Sequence, residues 1–403
     1  VVAGVPGPVY AKVFSLDFAP AGHRYGYEVR TADGQKAVVI DGERGPLFAA
    51  AEDIVWSADG RHYAYRVMRA EGNAWAAVRD GVVGDFQPGR ISKLALSPTG
   101  AHLAVAREDG SGKTRLAFYD GKRIAENATA LLSSPFKWSL DGSTFASVAE
   151  EAKGATTEKF LVVNGDERGR GSNIDSDYLA LSDDGRHFAV NLTLAAGKSF
   201  VIHDSHRYGP YKDLWGKPTL SANGAHVAFI ATLEDDFAHA VVNGKPGPAA
   251  STRHGIKSLK LSADGRVAAY LRQTAEKQWA IHHGERILPD AGEIIQLWLS
   301  PDGTHAAWVI RTSAGLQVVV DGKTTEPVYR DISRDNAVFS PDGRNFLYVA
   351  TRDRESSDVR VAGKGGRTYE VAAPLFQFGV PGVFSFVAFE KGVFYRETWS
   401  LRR

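Results

Sequence analysis

Cysteine is absent from this chain of 403 residues. Its absence excludes disulfide bonds, zinc sites built on thiolates, and thiol nucleophiles. A strong net charge is also missing, because 48 lysine and arginine residues are balanced by 47 aspartate and glutamate residues. No overall electrostatic field therefore favours nucleic acid or an anionic membrane, and we expect neither as a partner.

Long apolar runs and helical patterns are missing as well. No run reaches the roughly 18 apolar residues of a membrane span, and no signal peptide is recognisable after Val1, so we expect neither. No segment keeps a 3.6-residue apolar period, which argues against helical repeats. The chain also lacks the Gly-x-Ser-x-Gly elbow, the Gly-x-x-x-x-Gly-Lys loop and the His-Glu-x-x-His motif, so no familiar catalytic signature indicates an enzyme.

What the chain does contain is one tetrapeptide that returns about every forty residues. Eight full copies follow the pattern of Ser300-Pro301-Asp302-Gly303, and the degraded copies Ala19–Gly22 and Phe389–Gly392 extend the series at both ends. The glycines of these turns are Gly22, Gly60, Gly100, Gly142, Gly185, Gly224, Gly265, Gly303, Gly343 and Gly392. A fixed period of this length indicates stacked copies of one supersecondary unit.

Each unit has the pattern of four short strands. In residues 290–330, an alternating run precedes the turn, two apolar runs follow it, and Asp321-Gly322 is a pair that favours a two-residue hairpin. Similar Asx-Gly pairs recur in other units, for example at Asp80-Gly81 and Asn243-Gly244. We therefore predict an all-β protein of four-stranded antiparallel sheets.

The Ser-Pro-Asp-Gly turns, followed by Ala-rich second strands such as Phe188-Ala189-Val190, resemble the WD-repeat-like repeats of TolB-like bacterial β-propellers. The resemblance covers nearly the whole chain. It implies a β-propeller and, by analogy, an extracytoplasmic location, either periplasmic or secreted. It implies little about activity, because propellers serve many functions.

Ten units predict about ten blades in a single ring that forms one domain over residues 1–403. Residues 2–8 match residues 242–248, so we expect N-terminal strands to complete the last blade and remove two exposed sheet edges. Two smaller propellers are the alternative, because propellers usually have four to eight blades. We expect the protein to be a monomer.

Propellers commonly bind ligands at the central channel and the loop face, so alternation along the first strand of each blade selects the candidate residues. Counting back from the turn serine, the second and fourth positions should face the channel. They are Asp17, Asp53, Lys93, Lys137, Tyr178, Lys217, Thr219, Lys260, Gln296, Trp298 and Asn336. The four lysines would favour an anionic ligand such as a carboxylate or phosphate, and Tyr178 and Trp298 would offer stacking faces. A wide, wet channel that merely tolerates lysines is the alternative interpretation.

Histidine recurs two residues after the turn glycine, at His62, His102, His187, His226 and His305. Equivalent atoms of neighbouring blades are too far apart to share one zinc ion, so we interpret this series as a repeated polar position. His203 and His206, three residues apart in unit five, are weak candidates for metal binding. We otherwise expect no metal and no cofactor.

These patterns favour a non-catalytic scaffold that binds a protein or a small anionic ligand through the channel mouth and loop face. The alternative is a channel-sited hydrolase or lyase acting on saccharide or peptide, for which Asp17 and Asp53 would be the first carboxylates to test. A ring without any ligand is a third possibility, although the unequal repeats argue against a designed one.

Overall fold

The computed structural model describes residues 8–21, 23–108, 114–120, 122–124, 130–131, 136–288, 293–325, 328–333, 337–352, 356–362, 364–378, 382–391 and 393–401. These residues form ten consecutive antiparallel sheets, numbered here 1 to 10 in chain order. The described helices are the short 3₁₀ turns Glu71–Asn73 and Ser176–Tyr178, and no described helix is long and apolar enough to cross a membrane. The all-β prediction is confirmed.

The chain divides into two compact units, Val1–Gly197 with Val201–Arg207, and Lys198–Phe200 with Tyr208–Arg403. Sheets 1 to 4 belong to the first unit, sheets 6 to 10 belong to the second, and the division falls within strands of sheet 5. The single ring and the one-domain assignment stay predictions. Residues 1–7, from which we expected the strands that complete the last blade, lie outside the described residues, as do Gly22, Asn336 and Gly392.

The strands of sheets 1 to 5 keep the predicted order along the chain. Sheet 1 contains Lys12–Phe18, Tyr25–Arg30, Lys36–Ile40 and Glu43–Arg44; sheet 2 contains Ala50–Trp56, Tyr63–Met68, Ala74–Arg79, Val82–Val83 and Gln87–Pro88; sheet 3 contains Ile91–Leu96, Leu103–Glu108, Thr114–Tyr119 and Lys122–Ile124; sheet 4 contains Ala130–Leu131, Lys137–Trp138, Phe145–Lys153, Thr156–Val163 and Asp166–Gly171; sheet 5 contains Asn173–Ile174, Ala180–Leu181, Phe188–Thr193, Ser199–His203 and His206–Tyr211.

Sheets 6 to 9 repeat this order, and sheet 10 has three strands. Sheet 6 contains Asp213–Leu220, Val227–Thr232, Ala238–Val242 and Lys245–Pro246; sheet 7 contains Ile256–Leu261, Ala268–Gln273, Trp279–His283 and Arg286–Leu288; sheet 8 contains Glu293–Leu299, Ala306–Thr312, Gly315–Val320 and Lys323–Thr324; sheet 9 contains Asp331–Ile332, Val338–Phe339, Phe346–Thr351, Ser357–Val361 and Gly365–Tyr369; sheet 10 contains Val371–Phe378, Val383–Glu390 and Val393–Ser400.

The repeated turn is held by its own side chains. In sheet 2, the Ser57 hydroxyl donates to Asp59 Oδ1 at 2.6 Å and accepts the backbone N–H of His62 at 3.0 Å. The serine bond recurs at 2.5–2.7 Å in seven of the eight full copies. This hydroxyl lowers the pKa of the Asp59 carboxyl, because a hydrogen bond favours the charged form. The tetrapeptide is therefore a structural device.

Consecutive turns also touch one another. The Ala58 N–H donates to the carbonyl of Pro98 at 2.9 Å, and the Ala263 N–H donates to the carbonyl of Pro301 at 2.7 Å. Gly100 has a φ of +70°, and a Cβ atom there would lie 2.4 Å from Cβ of His62 in the preceding sheet. Glycine is thus required twice at this position, for backbone conformation and for space.

The turn between the first two strands of sheet 10 contains Gly382, whereas Gly392, the glycine assigned from sequence, lies outside the described residues. Lys391 lies between the second and third strands of sheet 10 and has a φ of +53°, as the hairpin residues Asp41 and Asp80 do at +52° and +49°. Gly382, with a φ of +75°, lies between the first and second strands, where the other turn glycines lie. The step from Gly343 to Gly382 is 39 residues, which falls within the 38 to 43 residues of the earlier steps.

Apolar side chains of consecutive sheets pack face to face within each unit. Val38 of sheet 1 packs with Tyr65 and Val67 of sheet 2. In the second unit, Ile281 of sheet 7 packs with Trp308 of sheet 8. Because each sheet covers the next, charged side chains on these inner faces have little access to water.

Candidate functional site

The first strand of every sheet is interrupted near its middle. In sheets 1, 2, 3, 6, 7, 8 and 10 the register with the second strand shifts, and in sheets 4, 5 and 9 the first strand consists of two short pieces. An extra residue in one strand breaks the simple alternation of its side chains. Alternation had predicted that the second and fourth positions before the turn serine face the same way. The interruption means that these two positions are not equivalent.

Asp53 occupies such a bulge in sheet 2. Glu52 pairs with Arg66 and Val55 pairs with Ala64, so two residues of the first strand oppose one residue of the second. Asp53 has a φ of +62°, in the left-handed region that glycine usually supplies at this type of bulge. Bulges are frequent beside functional sites, because they re-aim a side chain.

Five charged residues meet at this bulge, and we call Glu28, Glu52, Asp53, Arg66 and Arg90 the bulge cluster. Arg66 Nη2 lies 2.5 Å from Asp53 Oδ2 and 3.2 Å from Glu52 Oε1. Arg90 Nη2 lies 3.5 Å from the same Glu52 oxygen. The backbone N–H of Asp53 donates to Glu28 Oε1 at 2.8 Å. The cluster thus joins sheets 1, 2 and 3 of the first unit.

Arg66 lies at the buried centre of the cluster. Its side chain is only 8% exposed, and its Nη1 donates to the carbonyl of Ile91 in sheet 3. The guanidinium groups of Arg66 and Arg90 lie 5.6 and 5.9 Å from the ring centroid of Trp75. By contrast, the side chains of Asp53 and Arg90 are 58% and 51% exposed. A buried cation therefore holds two carboxylates in place, while one acid and one base face solvent.

The surroundings of Glu28 perturb its carboxyl group. Burial raises the pKa of its carboxyl, and the nearby charges of Asp53 and Glu52 raise it further, against the lowering effect of the hydrogen bond from the Asp53 backbone. Neighbouring carboxylates disfavour one another's ionisation. The bulge cluster therefore contains a carboxyl group that keeps its proton to higher pH than an ordinary glutamic acid.

The repeat itself marks these charges as unusual. Glu28 and Arg66 lie six residues after the turn glycines of the first two units, a position that is apolar in seven others: Ala106, Val148, Ile230, Leu271, Val309, Val349 and Ala388. The corresponding residue of sheet 5 is Asn191. Comparing this position between units would have revealed the cluster from sequence, whereas motif searching and strand alternation missed Glu28 and Arg66.

The four predicted channel lysines are distributed over both units. In the first unit, Lys93 Nζ lies 5.5 Å from the ring centroid of Phe136, and Lys137 Nζ donates to the carbonyls of Asp177 and Leu179 at 3.2 Å each. In the second unit, Lys217 is exposed and Lys260 is half-buried. The ammonium of Lys137 is thus engaged by backbone oxygens, and a common lysine site stays a prediction.

The two predicted stacking residues lie in surroundings that alternation did not anticipate. Tyr178 belongs to the 3₁₀ turn Ser176–Tyr178, between the two short pieces of a first strand. The Trp298 ring lies 5.2 Å from the ring of Phe346 and packs on the core between sheets 8 and 9. The Trp298 side chain therefore contributes to packing against the next sheet.

Asp17 does not lie beside Asp53, as a pair of catalytic carboxylates would. Asp17 is exposed in sheet 1, and the acid whose carboxylate contacts the backbone of Asp53 is Glu28 instead.

The histidines after the turns bind the Asx residue of their own hairpin, as His62 Nδ1 does with Asp80 Oδ2 at 2.8 Å. The same bond recurs at His102, His187 and His305 with Asp120, Asp204 and Asp321, at 2.5 to 2.7 Å. This series therefore has a structural role.

His203 lies close to different partners from the one the sequence suggested. His203 is buried, whereas His206 begins the next strand and is exposed. The donor atoms that lie within 4.8 Å of one another belong to His187, His203 and Asp204. Among the described residues, the donors grouped with His203 are therefore those of His187 and Asp204, and a shared role for His203 and His206 stays a prediction.

Comparisons with known proteins give no family assignment. No protein-family model matches the chain, and no curated protein matches it. Among solved structures, the chain is similar to a eukaryotic initiation factor, with 14% identity, 94% of this chain and 98% of that chain covered, and a TM-score of 0.42. It is also similar to the β-propeller domain of the Trilobed protease from Pyrococcus furiosus, with 16% identity, 69% of this chain and 98% of that chain covered, and a TM-score of 0.31. For TolB from Acinetobacter baumannii the identity is 15%, the covered shares are 79% of this chain and 80% of that chain, and the TM-score is 0.27. Similarity at this level carries no function across.

Proposed function

We propose that this protein is a non-catalytic binding β-propeller that engages a protein or a small anionic ligand, and that the bulge cluster holds a charged group of that partner. The observation that carries the proposal is the replacement of an apolar inner position by Glu28 and Arg66 in two consecutive sheets. Burying charges is costly, and stability alone would favour the apolar residues found in the other units. A role in recognition accounts for their presence.

The exposed members of the cluster define the chemistry of the partner. Arg90 presents a guanidinium beside the Trp75 ring, a geometry suited to bidentate contact with a carboxylate. Asp53 presents a carboxylate that Arg66 holds in place. The complementary partner therefore offers a carboxylate to Arg90 and a hydrogen-bond donor or cation to Asp53, as an exposed protein segment does.

The test is calorimetric titration of the purified chain at low ionic strength with citrate, glutamate and the dipeptide Glu-Lys. We expect at least one probe to bind, and Arg90→Gln and Asp53→Asn to weaken binding at least tenfold, about 1.4 kcal/mol. Arg311→Gln is the matched control, because Arg311 is 56% exposed and pairs with Glu293 at 3.1 Å in the second unit. Binding that is equal in all variants would refute the assignment of the site.

The raised pKa of Glu28 favours a second candidate, a hydrolase acting on saccharide or peptide. A protonated Glu28 would serve as general acid beside Asp53, since a carboxyl group whose pKa is raised by burial commonly takes this role. Hydrolysis of chromogenic glycosides or peptides that Glu28→Gln and Asp53→Asn both abolish would support this function. Binding without turnover in the same preparations would support the scaffold.

A further inference from the structure

Three metal-binding side chains meet at the hairpin of sheet 5, in the first unit. His187 follows the turn, and His203 and Asp204 lie at the end of the third strand. His187 Nδ1 lies 2.7 Å from Asp204 Oδ2, and His203 Nε2 lies 3.7 Å from the same oxygen. Donor atoms around tetrahedral zinc are about 3.3 Å apart, given metal–ligand distances of about 2.0–2.1 Å. Small rotations of these side chains would suffice to surround one ion.

The carboxylate is already oriented by the protein. Asp204 Oδ1 accepts the backbone N–H of Phe188 at 2.9 Å, which leaves Oδ2 turned toward both histidines. Hydrogen bonds that orient a ligand in this way are typical of metal sites. The His203 side chain is only 7% exposed, so one donor comes from the protein interior.

The third donor distinguishes this hairpin from similar ones. Sheets 2 and 8 have the same histidine–aspartate pair, His62 with Asp80 and His305 with Asp321. The residue before the aspartate is Arg79 in sheet 2 and Val320 in sheet 8, and neither provides a neutral nitrogen donor. Sheet 5 therefore differs from these two copies by one additional nitrogen donor, His203, in the residue before the hairpin aspartate.

We propose that His187, His203 and Asp204 bind one divalent transition-metal ion of the zinc class. Two imidazole nitrogens and one carboxylate oxygen suit zinc and disfavour magnesium, which prefers oxygen ligands. Binding at His187 Nδ1 displaces the proton shared with Asp204, and that proton moves through solvent to Nε2 of the same ring, so that His187 binds as a neutral imidazole. A cleft of about 600 Å³, lined in part by Asp204, Ser205 and Phe188, adjoins the site and leaves room for water as a fourth ligand.

A purely structural use of His203 is the competing explanation. In sheet 7, His283 precedes the hairpin glycine as His203 precedes Asp204, and its Nε2 bonds the carbonyl of Gly303 at 2.7 Å. Sheet 7 has Val267 and Gly284 where sheet 5 has His187 and Asp204, so it lacks the other two donors. A structural histidine predicts a change in stability on substitution and no change in metal affinity.

The test is titration of the untagged chain with zinc chloride, followed by calorimetry, with magnesium chloride as the negative control. We expect one zinc ion per chain, and His203→Val, which copies Val320 of sheet 8, should lower zinc affinity at least tenfold. His206→Gln should leave the affinity unchanged. Substituted cobalt(II) should show the intense visible bands of a tetrahedral site. If His203→Val keeps the wild-type affinity, or if the wild-type chain takes up no zinc, the proposal is wrong.

A gain-of-site variant tests the same geometry independently of the stability of sheet 5. Val320→His adds the missing donor beside His305 and Asp321 in sheet 8, whose carboxylate is oriented by the Ala306 N–H at 3.0 Å. We expect the stoichiometry to rise from one zinc ion to two. A stoichiometry that stays at one would contradict the claim that these three donors suffice.

Discussion

Sheets 2 and 8 are copies of one unit, and they differ sharply six residues after the turn glycine. Sheet 8 buries Val309 there, in an apolar core, whereas sheet 2 buries Arg66 among carboxylates. Both sheets keep the serine–aspartate turn and the histidine–aspartate hairpin bond. The turn and hairpin bonds therefore maintain the unit, so that a buried position can hold either an apolar or a charged side chain.

Exchanging these two residues should have the largest effect. Val309→Arg would bury a guanidinium in an apolar core, and Arg66→Val would leave Glu52 and Asp53 without their buried partner. We expect Val309→Arg to lower the free energy of unfolding by about 3–5 kcal/mol, because an uncompensated buried charge is costly. Arg66→Val should have a smaller effect, since Asp53 is 58% exposed and Glu52 keeps Arg90 as a partner. Urea denaturation measures the effect. A stabilised Arg66→Val protein would mean that the carboxylates simply turn to solvent.

The turn glycine should be less replaceable than the hairpin glycine. Gly100 and Gly322 both have positive φ, but a Cβ atom at Gly100 would clash with His62, whereas nothing lies within 4 Å of one at Gly322. We expect Gly322→Ala to cost about 1 kcal/mol from backbone strain alone. Gly100→Ala should cost about 2–4 kcal/mol, because overpacking adds to the strain. Equal melting temperatures for the two variants would show that sheets 2 and 3 move apart readily.

Sheet 7 has a buried histidine, His282, where sheet 8 has Val319. The His282 ring stacks on Tyr270 with the ring centroids 4.8 Å apart. Burial, together with the nearby charge of Arg272, lowers the pKa of His282 from 6.5 to about 4. Between pH 6.5 and 4 the unfolded chain takes up a proton that the folded chain does not, so stability should fall as the pH falls through this window. His282→Val should flatten that slope. An unchanged slope in urea unfolding from pH 7 to 4 would contradict the assignment.

The smallest effect is expected at the bulges of sheets 2 and 6. Gly216 in sheet 6 has a φ of +70°, close to the +62° of Asp53. Asp53→Gly should therefore change the free energy of unfolding by less than about 1 kcal/mol, because relief of backbone strain offsets the loss of a half-exposed ion pair. Asp53→Val should cost about 2 kcal/mol, since a β-branched residue strongly disfavours this conformation. If both variants unfold alike, the bulge is not maintained in solution.

Much of the architecture could be predicted because it depends on local chemistry. Ser57, Asp59 and Gly60 form their turn with bonds that span at most five residues, and Asp80-Gly81 turns the next hairpin in the same way. Lys391 occupies a left-handed position that Asx residues usually fill, and no sequence pattern indicated it. Such a departure is visible only when the strands on both sides are known.

The candidate site was predicted only in part, through Asp53. Its partners could not be found by alternation, since Glu28 lies 25 residues earlier in sheet 1 and the bulge changes the direction of side chains along the strand. The same limit applies to His203, because one of its two nearby donors, His187, lies 16 residues earlier, just before the second strand of the sheet.

The amino-acid sequence by itself determined the all-β class, the period of the units, the turns and the hairpins, because these follow from backbone preferences and hydrogen bonds between near neighbours. Only the tertiary structure decided which charges meet at Arg66 and which donors meet at Asp204. Those contacts depend on where a bulge falls and on how consecutive sheets pack, and both bring together residues that are distant along the chain.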